Sequence, residues 1–354
     1  MTMRRVQWGG PAPLDIGQPA DEALRTWISQ YGLKRPLFVT EGDDRGPIDP
    51  LVYRLEAAGV SVQSFDRAHG ANIAVVADAV AQYHFEGCDG LIAVGGWTPT
   101  MVAKATALMV GQRVPLSALS ETLGADRALV DPTAIPPLAV VADTIDAAAA
   151  TGGLIHIIDD AAAPMVLRHV GLRPRLMILD PERDGGAATH HRTAAAATLV
   201  LRAIDGLSTG PWPFDITPAL QAVLDDPAPW DSVAVLAGVL EDRIGPAWTL
   251  ATVAAARAEL PATGVFAALM PTAAHVYALD PGLQDRAAVA ASMIPLHRPL
   301  PTPLLDVSGL RALAAVARNG ALVDVRPLLA ALNLDMPRGP TRAGGRRGRR
   351  RDVA

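Results

Sequence analysis

Gly87–Gln112 reads GCDGLIAVGGWTPTMVAKATALMVGQ, and its reading decides the fold. Gly90–Val94 (GLIAV) is an apolar run, the pattern of a parallel strand buried on both faces. Gly95–Gly96 follows as a tight turn. Thr100–Val110 then carries apolar side chains at helical spacing. A buried strand, a turn and a helix in this order make the repeating unit of a parallel sheet.

The same unit recurs outward from this stretch. Arg35–Thr40 (RPLFVT) reads as a strand ending at polar Glu41, Gly42 and Asp43. Ile48–Ala58 has helical spacing and stops at Gly59, Val60–Phe65 alternates as a strand, and Ile73–Phe85 is a helix closing at Gly87. Leu138–Val141 is another buried strand. The repetition predicts a doubly wound, mostly parallel, Rossmann-like sheet, whose ligands bind at the carboxyl ends of the strands.

From about Asp160 the pattern changes. Thr193–Leu207, Ile216–Leu224, Ser232–Ile244, Ala247–Ala258, Ala287–Met293, Leu310–Arg318 and Val325–Leu332 read as helices. Gly210–Asp215 and Asp225–Asp231 break the series, and Pro299–Leu305 is a proline-rich connector. The expected organisation is an α/β domain over 1–160, an all-helical domain over 161–335 and an arginine-rich tail over 336–354.

Composition agrees with two globular domains: of 354 residues, 50% are apolar and 19% charged. No apolar run reaches the roughly 18 residues needed to span a bilayer, and Met1–Gly10 has no apolar segment of a signal peptide. The single cysteine, Cys88, excludes an internal disulfide and a cysteine-based zinc cluster. A cytoplasmic location is the expectation. The formal charge of −5 is uneven, because Met336–Ala354 holds seven arginines and one aspartate, leaving −11 on the rest. An acidic body argues against nucleic-acid binding by bulk field. The tail has little to pack and reads as disordered, either a contact for RNA, phosphate or acidic lipid, or a solubilising overhang.

Gly87–Gln112 resembles the nucleotide-binding stretch of the iron-containing alcohol dehydrogenase superfamily, where a strand GCDxIVAVGGGS leads into PxDxAK. Gly95, Gly96, Thr98, Pro99 and Lys104 match; Trp97 stands for the third glycine and Met101 for the aspartate. Small residues there let the backbone approach a pyrophosphate, and the helix N-terminus offers N–H donors. Leu37–Asp43 matches the turn that places an acidic residue, here Glu41, near the adenine ribose. Pro137–Asp159 has the frame of the stretch that follows, with Thr144 keeping a hydroxyl. Leu179–Glu182 (LDPE) matches the lead into the helical domain, and Gly264 and Pro271 fit a later segment. The resemblance covers nearly all of 1–335, with a length near the maleylacetate reductase branch. It implies the α/β plus all-α architecture shared with dehydroquinate synthase-like proteins, an NAD(P) cofactor, a small-molecule substrate in the interdomain cleft and a homo-oligomer such as a dimer.

The resemblance also implies a metal held by one aspartate and three histidines. In this frame those positions fall on Thr198, Arg202, Trp248 and Thr263, which do not make a ligand set for zinc or ferrous iron. No metal is therefore expected. Asp143 puts a carboxylate where phosphate would approach, and Trp97 has the bulk to fill pyrophosphate space.

The remaining candidates divide between functional and structural readings. Arg202 either faces the cleft, holding a carboxylate or polarising a carbonyl, or is a surface arginine. His275 borders the cleft in the family's frame and reads as a structural histidine. His190 and His191, being adjacent, read as loop residues, and Cys88 as a core residue. Asp159, Asp160, Asp180 and Asp184 read as turn and cap residues, and Trp212, Trp230 and Trp248 as packing. Three functions remain open. One is an NAD(P)-linked oxidoreductase in which Arg202 replaces the metal. The others are a non-redox enzyme, lyase, isomerase or transferase, relined by Trp97, Asp143, Arg202, Trp248 and Thr263, and a non-catalytic partner subunit.

Overall fold

The computed structural model describes residues 6–8, 13–41, 48–120, 129–142, 152–161, 163–179, 202, 205–206, 245–258, 265–266 and 269. All of them lie within the contact unit Met1–Val323. Their framework is a seven-stranded sheet, ordered β1 (Val6–Trp8), β2 (Leu14–Ile16), β9 (Leu176–Leu179), β6 (Leu138–Ala142), β5 (Gly90–Gly95), β3 (Pro36–Val39) and β4 (Gln63–Phe65). Every pairing is parallel except β1 with β2. A separate antiparallel hairpin joins β7 (Leu154–Ile158) to β8 (Pro164–Arg168).

The central strands are apolar on both faces because both faces are covered. Phe38, Ile92, Val94, Ala139, Val141 and Ile178 share one core cluster with Leu24, Trp27 and Ile28 of α1 (Ala20–Tyr31) and with Leu51 and Leu55 of α2 (Asp49–Ala57). The alternate residues Leu37, Val39, Leu91, Ala93, Val140 and Met177 are buried too. The helix α3 (Ile73–Phe85) is capped by Asn72, whose side chain accepts from Val75 N–H at 2.9 Å. A short α5 (Leu116–Leu119) follows α4 (Trp97–Met109).

The helix α4 is buried from Trp97 through Leu108, as a helix apolar all round must be. Its polar residues are satisfied internally: Thr100 Oγ1 donates to the Gly96 carbonyl at 2.9 Å and Thr106 Oγ1 to that of Val102 at 2.8 Å. The helix begins at Trp97, earlier than the predicted Thr100. Pro99 does not delay it, because the first-turn N–H groups have no intrahelical partner and a missing one there costs nothing. The predicted strand Val60–Phe65 is shorter than expected, regular only from Gln63.

The larger correction concerns residues past 160. Two strands, β8 and β9, lie there, and β9 is inserted between β2 and β6 in the main sheet. The expected boundary at residue 160 therefore falls inside the sheet-forming part of the chain. A four-residue apolar run such as Leu176–Leu179 has no periodicity that separates strand from helix. Among the described residues beyond 200, all but Gly245 are helical, including α6 (Pro246–Ala258). No helix among the described residues is long and apolar enough to cross a membrane.

Candidate functional site

The sheet order places a crevice. From β3 the chain moves outward to β4, then returns past β3 to pair β5 on its other side. Such a reversal leaves a gap beyond the carboxyl ends of β3 and β5, the usual ligand position in open α/β sheets. Val39 is in register with Ala93, so Glu41 and Gly95 each follow a paired residue by two positions and sit at neighbouring strand ends. Glu41 is exposed there.

Gly95 has φ 128°, a backbone region that residues with a Cβ rarely enter. It turns β5 directly into α4, whose N-cap is Gly96 and whose end has no side-chain cap. The first-turn N–H groups of Trp97 and Thr98 thus form the positive end of a buried helix at the crevice floor. Thr98 is buried beside them.

Lys104 lies in the interior instead. It is fully buried, and its Nζ donates to the Gly152 carbonyl at 2.7 Å, bracing α4 against the lead into β7. The structure gives this cofactor candidate a bracing contact inside the protein.

Three other candidates come together. Trp97 and Trp248 meet edge to face, with ring centroids 5.3 Å apart and planes at 89°. Arg202 Cζ lies 4.3 Å from the Trp248 centroid and 5.5 Å from that of Trp97, within cation–π range. Phe266 extends the cluster, 5.0 Å from Trp248. Arg202 is only 3% exposed, so the surface-arginine reading is overturned: its charge sits among aromatic rings. Among the described residues no acceptor reaches Nε1 of Trp97 or of Trp248, although both atoms are buried.

Asp205 positions this cluster and was missed in the sequence. It is fully buried, with Oδ1 accepting from Ala247 N–H at 3.1 Å and Oδ2 from Trp248 N–H at 2.8 Å. It thereby closes the N-terminus of α6 with a negative charge and locks the backbone that carries Trp248. Its place one helical turn after Arg202 was the available signal; its partners, 42 and 43 residues away, were not readable. Gly245 completes the arrangement. A Cβ there would fall on the carbonyl oxygen and carboxylate of Asp205. Gly245→Ala is expected to destabilise the fold by about 1–3 kcal/mol through overpacking, read as a lowered urea midpoint.

Beneath α6, His156 of β7 is buried, with Nδ1 3.2 Å from Thr252 Oγ1. That hydroxyl also donates to the Thr249 carbonyl at 2.9 Å, which assigns the imidazole proton to Nδ1. Burial, reinforced by the charge of Arg168, pushes the His156 pKa down to about 4. Burial likewise makes Cys88 a core residue, its thiol pushed up to about 11. Asp143, Thr144, Thr198, Thr263 and His275 lie outside the described residues, as do His190, His191 and Asp180. Among the described residues no group of three histidine, cysteine or carboxylate side chains is placed to hold a metal.

A mostly parallel sheet with a reversal point between β3 and β5, where a glycine turn leads into a buried helix, defines a doubly wound α/β architecture. Residues 13–181 match the family model of iron-containing alcohol dehydrogenases. A 4-hydroxybutyrate dehydrogenase of Cupriavidus necator is 30% identical over 204 residues, 54% of this chain and 50% of that protein. Two solved structures share the fold across most of the chain. The iron-containing alcohol dehydrogenase of Thermococcus thioreducens has a TM-score of 0.67 at 17% identity, covering 92% of this chain and 90% of its own. A sulfoacetaldehyde reductase of Bifidobacterium kashiwanohense, in complex with NAD+, has 0.65 at 14%, covering 95% and 89%. Over residues 13–181 the sequence is thus similar to the iron-containing alcohol dehydrogenases. It spans half or less of the length of the curated relatives it matches.

Proposed function

We propose that this chain is an NAD(P)-linked oxidoreductase acting on a small carbonyl or alcohol substrate, with the charge of Arg202 in the role that relatives give a metal. The observation that carries the reading is the meeting of Glu41 and the Gly95–Gly96 turn at neighbouring ends of β3 and β5. The residues present fit a dinucleotide. Gly95 and Gly96 let the backbone approach a pyrophosphate, and the N–H groups of Trp97 and Thr98 would hold it. Glu41 would accept from the ribose hydroxyls and repel a 2′-phosphate. When bound, the nicotinamide supplies or accepts the hydride.

A divalent metal fits Arg202 and Trp248 poorly. A guanidinium and an indole N–H are donors with no lone pair for a cation. Arg202 would instead stabilise an oxyanion in a site of low polarity, where a fixed charge acts strongly. The names of the relatives, 4-hydroxybutyrate dehydrogenase and sulfoacetaldehyde reductase, support a small oxygenated substrate. Self-association as a homodimer belongs to the same reading.

Fluorescence titration with NADH and NADPH, with metal assayed on the same sample, tests this. NADH is expected to bind at least about tenfold more tightly than NADPH, since an unfavourable carboxylate–phosphate contact costs 1.4 kcal/mol or more. Glu41→Ala should narrow that gap. Binding without stoichiometric metal supports the reading; no binding of either nucleotide at millimolar concentration overturns it. That failure would favour a second reading, a relined non-redox enzyme or a non-catalytic partner subunit. Its support is Trp97, which puts a buried indole where relatives have a third glycine.

A further inference from the structure

We draw no further inference here: the strongest candidate, the open groove where α3 flanks the edge strand β4, lined by Arg67, Asp78, Gln82, Glu86 and the exposed Phe85, carries nothing because nothing in the structure shows what covers it.

Discussion

Truncating Trp248 to alanine is expected to cost about 3–5 kcal/mol of stability, the range for emptying a large aromatic from a core. Trp248 is the largest fully buried side chain among the described residues and packs edge to face against both Trp97 and Phe266. It is also the nearer ring to the Arg202 guanidinium, at 4.3 Å. Its loss therefore opens a cavity and strips a buried cation of the π face beside it, a contact worth about 1–2 kcal/mol when desolvated. Trp248→Phe keeps most of the area and should cost less than half as much. Urea unfolding followed by circular dichroism reads both. Equal costs for the two variants would show that ring packing is not what this position contributes.

Acidification from pH 7 to pH 4 is expected to withdraw about 3 kcal/mol through His156 alone. In the unfolded chain a histidine binds its proton near pH 6.5; in the fold His156 resists it until about pH 4. Between those values the unfolded state holds more protons, so stability rises with pH across the window and falls as it is acidified. The contribution is fully present above pH 6.5 and lost by pH 4. The cause is first the burial of the imidazole among apolar residues and then the charge of Arg168. Surface carboxylates titrate in part of the same range, so the measurement is a difference. His156→Gln should flatten the pH dependence of the urea midpoint relative to the parent between pH 6.5 and pH 4. Parallel curves for the two proteins would place the proton elsewhere.

His156 ties the helix α6 to the α/β part, and Asp205 fixes the same helix within the residues beyond 200. His156 belongs to β7 and meets Thr252 of α6. Asp205 binds the first turn of α6 through its two carboxylate oxygens. Each is a buried polar group whose partner lies far along the chain, and each sets the position of the helix that carries Trp248. Such groups are costly unless satisfied, so they specify one arrangement of the elements more sharply than apolar packing does.

The sequence by itself determined the parts of this protein that depend on local pattern. The uninterrupted apolar runs at Leu37–Val39, Gly90–Val94 and Leu138–Val141 demanded strands covered on both faces, and those strands form the centre of the sheet. The Gly95–Gly96 turn and the helix after it were legible because only glycine takes φ 128° readily and only small residues admit so close a turn. Glu41 was legible as the first polar residue after the predicted strand Arg35–Thr40, and as a ribose ligand only through the resemblance of Leu37–Asp43 to the family's turn.

Only the tertiary structure decided the rest. The insertion of Leu176–Leu179 between β2 and β6 depends on pairing with strands far away in sequence, which no local period encodes. Arg202 was equally readable as a surface residue or a site residue, because an arginine's own sequence does not say what will cover it. The answer came from two indoles, one 105 positions before it and one 46 after, packed against its guanidinium by the fold. Burial and long-range partners turn a chemically ambiguous side chain into a candidate site, and both are properties of the folded chain alone.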